Sequence, residues 1–209
     1  MEVIIVGAGG FGKEVAFLID RLQQINLLGF VDNAYETLPS KILGYPIFGD
    51  LLYLQNYSNE LAVVLAIANP DAKEKIYNNL SKNQNLHFPN IIDSTALIGP
   101  NTKIGIGNIL MPYTTYTAEC LIGNFNMINM HSTIGHDTNI GNFNSIFPNV
   151  NISGNVSVGS KNLLGVGTKI IQGITIKDEI ITGAGSVVIS DLSSRTKNVG
   201  VPTRQIESW

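Results

Sequence analysis

Three histidines, a single cysteine and one short run of glycines account for most of the chemistry that these 209 residues could perform. His131 and His136 stand five positions apart in Asn129-Met130-His131-Ser132-Thr133-Ile134-Gly135-His136-Asp137, and His136 is followed at once by a carboxylate. An imidazole titrates near neutrality, so it suits proton transfer or metal ligation, and an adjacent carboxylate fixes its tautomer and favours its protonated form. His87 lies in an apolar segment and is read as structural. Near the N-terminus, Gly7-Ala8-Gly9-Gly10-Phe11-Gly12 forms G-x-G-x-x-G, with Asp32 about twenty residues on. Glycines in that spacing let backbone N–H groups at a helix N-terminus approach a phosphate closely.

Two kinds of element must hold these groups. Over the first ninety residues apolar runs alternate with amphipathic stretches: Val3 to Val6, Gly12 to Ile25, Leu28 to Val31, Ala62 to Ile67 and Asp71 to Leu80. Strand, helix, strand, strand, helix is the order of a parallel α/β unit, expected over residues 1–90. Its glycine loop follows the first strand and opens the first helix, the context that a phosphate cradle requires. A complete dinucleotide site needs two such halves, and ninety residues hold about one. That argues against an NAD-dependent oxidoreductase and for a nucleotide half-site.

From Ile98 onward the period becomes six. Every sixth position through Val188 is aliphatic except Tyr116 and Thr182, and the following position is glycine in eight cases. Neither the helical period of 3.6 nor the strand period of 2 produces such a register. It marks a parallel β-helix over residues 91–209, in which each repeat is a short strand plus a turn and the aliphatic column fills the interior. His131 and His136 fall off the column, so their rings are expected to project outward. Cys120, two residues before a column position, is expected to pack inward. Asn124, Asn126, Asn142 and Asn144 suit corners that need left-handed backbone or side-chain capping.

Composition narrows the partners. With 44% hydrophobic and 14% charged residues the chain has the makeup of a folded globular protein. A net charge of −3 and no basic run give no footprint for nucleic acid. The longest apolar run, Leu61 to Ala68, falls well short of the roughly 20 residues of a membrane span. The start Met1-Glu2-Val3 lacks the pattern of an export signal, and one cysteine fits a reducing compartment, so a cytoplasmic location is expected.

The His-x4-His spacing on a hexapeptide coil resembles that of the γ-class carbonic anhydrases, but the third ligand position, counted back from His131, is Thr95. A catalytic zinc site needs three protein ligands, so no metal is expected. The closer resemblance is to the PglD/NeuD-type sugar acyltransferases. It is carried by Ile4 to Gly12, Gly29-Phe30-Val31-Asp32-Asn33, Ala66-Ile67-Ala68-Asn69, Ile134-Gly135-His136-Asp137 and Val199-Gly200-Val201-Pro202.

That resemblance implies an α/β domain followed by a left-handed parallel β-helix, a homotrimer, and acetyl-CoA bound along the coils. It implies His136 as general base with Asp137 tuning it and Asn129 at the reacting centre. It places a nucleotide-linked sugar at Gly9, Gly10, Phe11, Asp32, Asn33 and Ala68, and the thioester at Ser145, Gly154, Val166 and Ala184. The sequence departs from the family at Ala68, often glycine in relatives, and at Phe11 and Ser145, where relatives place histidines. The activity implied is acetyl transfer, by direct attack, to the 4-amino group of a UDP- or dTDP-linked 4-amino-4,6-dideoxyhexose for surface glycans. Two other readings stay open: an O-acetyltransferase acting on a sialic-acid-like sugar, and a non-catalytic β-helix that only binds.

Overall fold

The computed structural model describes residues 1–209, which divide into two compact units, Met1–Ile91 and Ile92–Trp209. In the first, four parallel strands lie in the order β2-β1-β5-β6: β1 (Glu2–Val6), β2 (Asn26–Val31), β5 (Leu61–Leu65) and β6 (Leu86–His87). Val3, Ile4 and Ile5 on β1 and Phe30 and Val31 on β2 are fully buried, as continuous apolar runs in a covered parallel sheet should be. Helix α1 (Gly10–Asp20) buries Val15, Ala16, Leu18 and Ile19, and it ends at Asp20, not near Ile25 as its amphipathic pattern suggests. The chain continues past Arg21 in turns closed by Leu22 N–H to the Ile19 carbonyl and Ile25 N–H to the Leu22 carbonyl.

Helix α3 (Pro70–Leu80) starts where the sequence predicts, because Pro70 fits a first-turn position and the Asn69 side chain accepts the Ala72 N–H at 2.9 Å. Between β2 and β5 lie elements with too few residues for a periodic signal: the hairpin β3 (Lys41–Ile42) and β4 (Tyr45–Pro46), and the helix α2 (Leu51–Gln55) capped by Asp50.

The second unit is a parallel β-helix of about six turns, as expected. Through the repeats, strand residues pair in parallel with those eighteen further on, for example Ile134 with Ile152 and Ile152 with Ile170, and at the end Ile181 pairs with Lys197 and Thr196–Val199 runs antiparallel to Arg204–Ser208. Three sheets result, named here I (with Met127–Ile128 and Ser145–Ile146), II (with Thr133–Ile134 and Asn151–Ile152) and III (with Asn139–Ile140 and Ser157–Val158). Every position of the six-residue column is the second residue of a two-residue strand, and from Leu110 to Val188 the column is buried. In the early strands Ile98 is exposed and Ile104 only partly covered, so the column leaves the interior there.

A second inward row, two residues before the column, completes the core. It contains Cys120, Val150, Val156, Ile174 and Ile180, and at one corner a buried asparagine ladder. In that ladder Asn126 Nδ2 donates to Asn108 Oδ1 at 3.1 Å and to the Gly141 carbonyl at 2.9 Å, and Asn144 repeats the pattern one coil later. The corner asparagines therefore act by side-chain capping. Left-handed backbone falls instead three residues after each column position, at Phe125, His131, Asp137, Phe143 and Asn149 among others. The glycines that follow the column are needed for another reason, close approach of coils: a Cβ on Gly123 would lie 2.4 Å from the Gly141 carbonyl oxygen.

Candidate functional site

In the α/β unit the carboxyl ends of three adjacent parallel strands bring together the glycine loop after β1, Asp32 after β2 and Ala66 to Ala68 after β5. The crevice outside strand carboxyl ends is where open α/β sheets bind ligands. The glycines divide by role. Gly7 holds φ +104°, and a Cβ there would meet the Ala66 carbonyl oxygen at 2.8 Å; a Cβ on Gly12 would sit 1.9 Å from the Gly7 carbonyl oxygen. These two let helix and strand pack. A Cβ on Gly9 or Gly10 would meet nothing within 4 Å, so these two face open space.

Gly9 caps α1 without any side-chain acceptor, and no acidic residue stands in the first turn of the helix. Asp32 fixes the loop: Oδ2 accepts the Ala8 N–H and Oδ1 the Ala34 N–H, both at 2.8 Å. Asn33 is exposed, its Oδ1 accepting the Leu51 N–H at 3.3 Å, and Phe11 and Ala68 are partly buried.

In the coil, His136 and Asp137 lie at the corner between sheets II and III, just after the strand Thr133–Ile134. Both are exposed, and His136 Nδ1 stands 2.7 Å from Asp137 Oδ2. Asp137 holds the left-handed φ of +57°, which turns the chain so that neighbouring side chains meet. Its N–H donates to the Ala118 carbonyl at 3.1 Å, and the His136 carbonyl accepts the Asn155 N–H at 2.7 Å, so the pair is held between two coils. Since a carboxylate only accepts, Nδ1 carries a proton, and in the neutral imidazole Nε2 then keeps its lone pair. Nε2 lies over Gly154 of the next coil.

The remaining expected residues sit elsewhere. Asn129 is at the corner between sheets I and II, buried, its Oδ1 accepting the Met130 N–H at 2.7 Å. Val166 and Ala184 lie on that same corner and are exposed, beside Gly167 and Gly185 in left-handed backbone. Ser145 is fully buried in sheet I. Within one chain, then, His136, Asp137 and Gly154 come together, whereas Asn129, Val166 and Ala184 belong to a different corner. His131 is also there, its ring stacked on Tyr113 with centroids 5.1 Å apart. The six-residue register separates the two histidines between corners, although neighbouring sequence suggests proximity. His87 is exposed on β6, 4.0 Å from Glu60.

Sequence reading missed Gly167 and Gly185. They form an open gutter: a Cβ on Gly185 would meet nothing within 4 Å, and one on Gly167 only the Gly185 backbone at 3.9 Å. Their signal was the left-handed register, which continues from His131 and Asn149 in steps of eighteen. No group of three His, Cys, Asp or Glu side chains is placed to hold a metal, and no helix is long and apolar enough to cross a membrane.

Residues 2–80 match the PglD N-terminal domain family. Among solved structures, PerB from Caulobacter crescentus, in complex with CoA and GDP-perosamine, is 29% identical, with 99% of this chain and 98% of that chain covered and a TM-score of 0.90. The acetyltransferase domain of PglB from Neisseria gonorrhoeae, in complex with acetyl coenzyme A, is 26% identical, with 98% of each chain covered and a TM-score of 0.92. WeeI from Acinetobacter baumannii is 28% identical, with 99% of this chain and 100% of that chain covered and a TM-score of 0.88. No curated protein matches the sequence.

Proposed function

From a chain of the PglD type, with the PglD N-terminal domain at its start and a hexapeptide-repeat coil after it, we propose an acetyl-CoA-dependent sugar N-acetyltransferase acting on a nucleotide-linked 4-amino sugar. The observation that carries the reading is the exposed His136–Asp137 pair at 2.7 Å, which leaves Nε2 free to take a proton. Two relatives of similar size, fold and length were crystallised with CoA or acetyl-CoA, one of them with a GDP-linked amino sugar as well.

The reaction needs an amine to attack a thioester carbonyl. A C–N bond forms, the C–S bond breaks, and the proton lost by the attacking nitrogen goes to His136 Nε2 and on to the departing sulfur. Asp137 stabilises the imidazolium in between and holds the tautomer. A positioned base of this kind supplies about 10²–10⁴-fold in rate. Direct attack suffices, since no serine or cysteine is hydrogen-bonded to the His136 ring as a nucleophile would be.

In the α/β unit, the open Gly9 and Gly10, with Phe11 at the uncapped start of α1, suit the diphosphate of the acceptor, and Asp32 and Asn33 stand at the next strand end for its base. Ala68 would flank the acceptor across the sheet. In the coil, the gutter at Val166, Gly167, Ala184 and Gly185 is shaped for an extended thioester arm. Asn129 on that corner and His136 on the other would complete one centre only with a second copy of the chain, which agrees with a homotrimer. Light scattering should then report three chain masses.

The test is release of free thiol from acetyl-CoA with a panel of GDP-, UDP- and dTDP-linked 4-amino sugars. One acceptor should support release, fixing the nucleotide, and His136→Ala should abolish it. Thiol release that needs no amino sugar, or that survives His136→Ala unchanged, would sink the reading.

A further inference from the structure

Gly154 is the coil glycine that lies against the ring of the candidate base. Its φ lies outside the left-handed region, so the backbone conformation does not itself demand glycine. What a Cβ would meet is the imidazole of His136, at 2.5 Å from Nε2, 2.6 Å from Cε1 and 2.8 Å from Cδ2. Gly135 and Gly165 are instead hemmed in by main-chain atoms of the adjacent coil.

The crowding could not be relieved by separating the coils. Gly135 N–H donates to the Ile152 carbonyl at 2.8 Å, and Asn155 N–H donates to the His136 carbonyl at 2.7 Å, which ties the coil bearing His136 to the coil bearing Gly154 on both sides of the ring. Gly135 is itself pressed on Gly154, since a Cβ there would lie 2.4 Å from the Gly154 nitrogen. The main chain is fixed, so the ring must yield. It has room to do so, being exposed, but swinging away gives up the 2.7 Å pairing with Asp137.

We infer that Gly154 is a positioning residue: by lacking a side chain it forms the floor on which the His136 imidazole lies while paired with Asp137. The inference rests on the reading of His136 as the base and adds to it a steric device one coil away. It differs from a backbone contact between Gly154 and the thioester, which would act on binding of acetyl-CoA and not on the ring.

Gly154→Ala separates the two. The variant should fold with a melting midpoint within a few degrees of the parent, because a mobile side chain and not backbone is displaced. Its kcat should fall by about 10-fold or more, bounded by the loss in His136→Ala, while both KM values stay within about twofold. Independently of turnover, the His136 ring resonances in ¹⁵N-edited NMR, assigned by their loss in His136→Ala, should move toward those of Asp137→Asn. Unchanged ring resonances, or a raised KM for acetyl-CoA with kcat intact, would overturn the inference. If Gly154→Ala alone does not fold, recovery in the His136→Ala background is expected, and failure to recover there counts against it. Should His136→Ala keep full turnover, the base reading falls while the ring resonances alone decide whether the floor exists.

Discussion

The two units prepare their sites with different parts of the chain. At the carboxyl ends of the α/β strands the open positions are the glycines Gly9 and Gly10 at the start of α1, in a loop packed through Gly7 and Gly12 and held by Asp32 at Ala8. On the coil they are side chains, His136 and Asp137, and the main chain beneath them is fixed by hydrogen bonds to the coils on either side. A backbone site depends on glycines that let strand and helix approach, so its fold and its binding are nearly one property. A side-chain site on a repetitive scaffold is separable, because an exposed imidazole contributes little to the core.

The largest expected effects break the first half of that comparison. Gly12→Ala drives a Cβ to 1.9 Å from the Gly7 carbonyl oxygen, backbone against backbone. The cost should exceed about 4 kcal/mol, enough to unfold the α/β unit, since neither partner is a side chain that could turn aside. Circular dichroism should show loss of helical signal with strand signal kept, and a fully helical Gly12→Ala would refute the packing role. Asp137→Asn addresses the other half. The fold should be indifferent, because Asp137 is exposed, but the amide can donate to Nδ1 and admit the wrong tautomer, so kcat should drop by about 10–10²-fold, part of the contribution of the base. Steady-state kinetics beside a thermal melt would check both, and equal losses of activity and stability would contradict it.

Gly10→Ala sharpens the contrast within one loop. With nothing within 4 Å of the added methyl, stability should hold or rise by roughly 0.5–1 kcal/mol, alanine being the better helix residue. The methyl would stand where the acceptor phosphates are proposed, so the acceptor KM should rise roughly 5- to 10-fold, about 1–1.4 kcal/mol, at constant KM for acetyl-CoA. Titration of each substrate in turn reads the difference. An acceptor KM unmoved by the methyl would remove the loop from the acceptor site.

Much of this was legible before any coordinates. The column from Ile98 to Val188 names the coil strands from Leu97–Ile98 to Val187–Val188 because the repeat turns the same position inward every six residues, and it does not reach Thr196–Val199 and Arg204–Ser208; the glycine loop is placed by the strand before it and the helix after it. The short elements were not legible: β3, β4 and α2 are too brief for a period and are set by tertiary contacts such as the Asp50 cap. Of the site, His136 and Asp137 were legible as neighbours in sequence, but the partition between corners was not. Asn129 and His131 are both close to His136 in sequence, yet both turn at the other corner, because the strand Thr133–Ile134 intervenes. The part played by Gly154 was hidden for a related reason: it lies eighteen residues from His136, one full coil, and only stacking brings the two together.

A last expected effect concerns pH, and again distinguishes the units. Each has a buried titratable side chain. Tyr116, in the column of the coil, is pushed up by burial, so it stays protonated in the folded protein across neutral and mildly alkaline pH and adds no slope there. Lys73, on the first turn of α3 and 2% exposed, is pushed down by burial from 10.5 to about 7. In the unfolded chain it returns to its ordinary value. Between about pH 7 and pH 10 the unfolded state therefore binds more protons than the folded one, and stability rises with pH over that window; below about pH 7 both states are protonated and the contribution is flat. From pH 7 to pH 9 the gain should be on the order of 2 kcal/mol. Lys73→Met keeps the volume and removes the titration. Urea midpoints of parent and variant at the two pH values should show the rise in the parent alone, in the transition that carries the helical signal. A rise of the same size in Lys73→Met would place its origin elsewhere, and a rise in the strand-rich transition would assign the pH response to the coil instead.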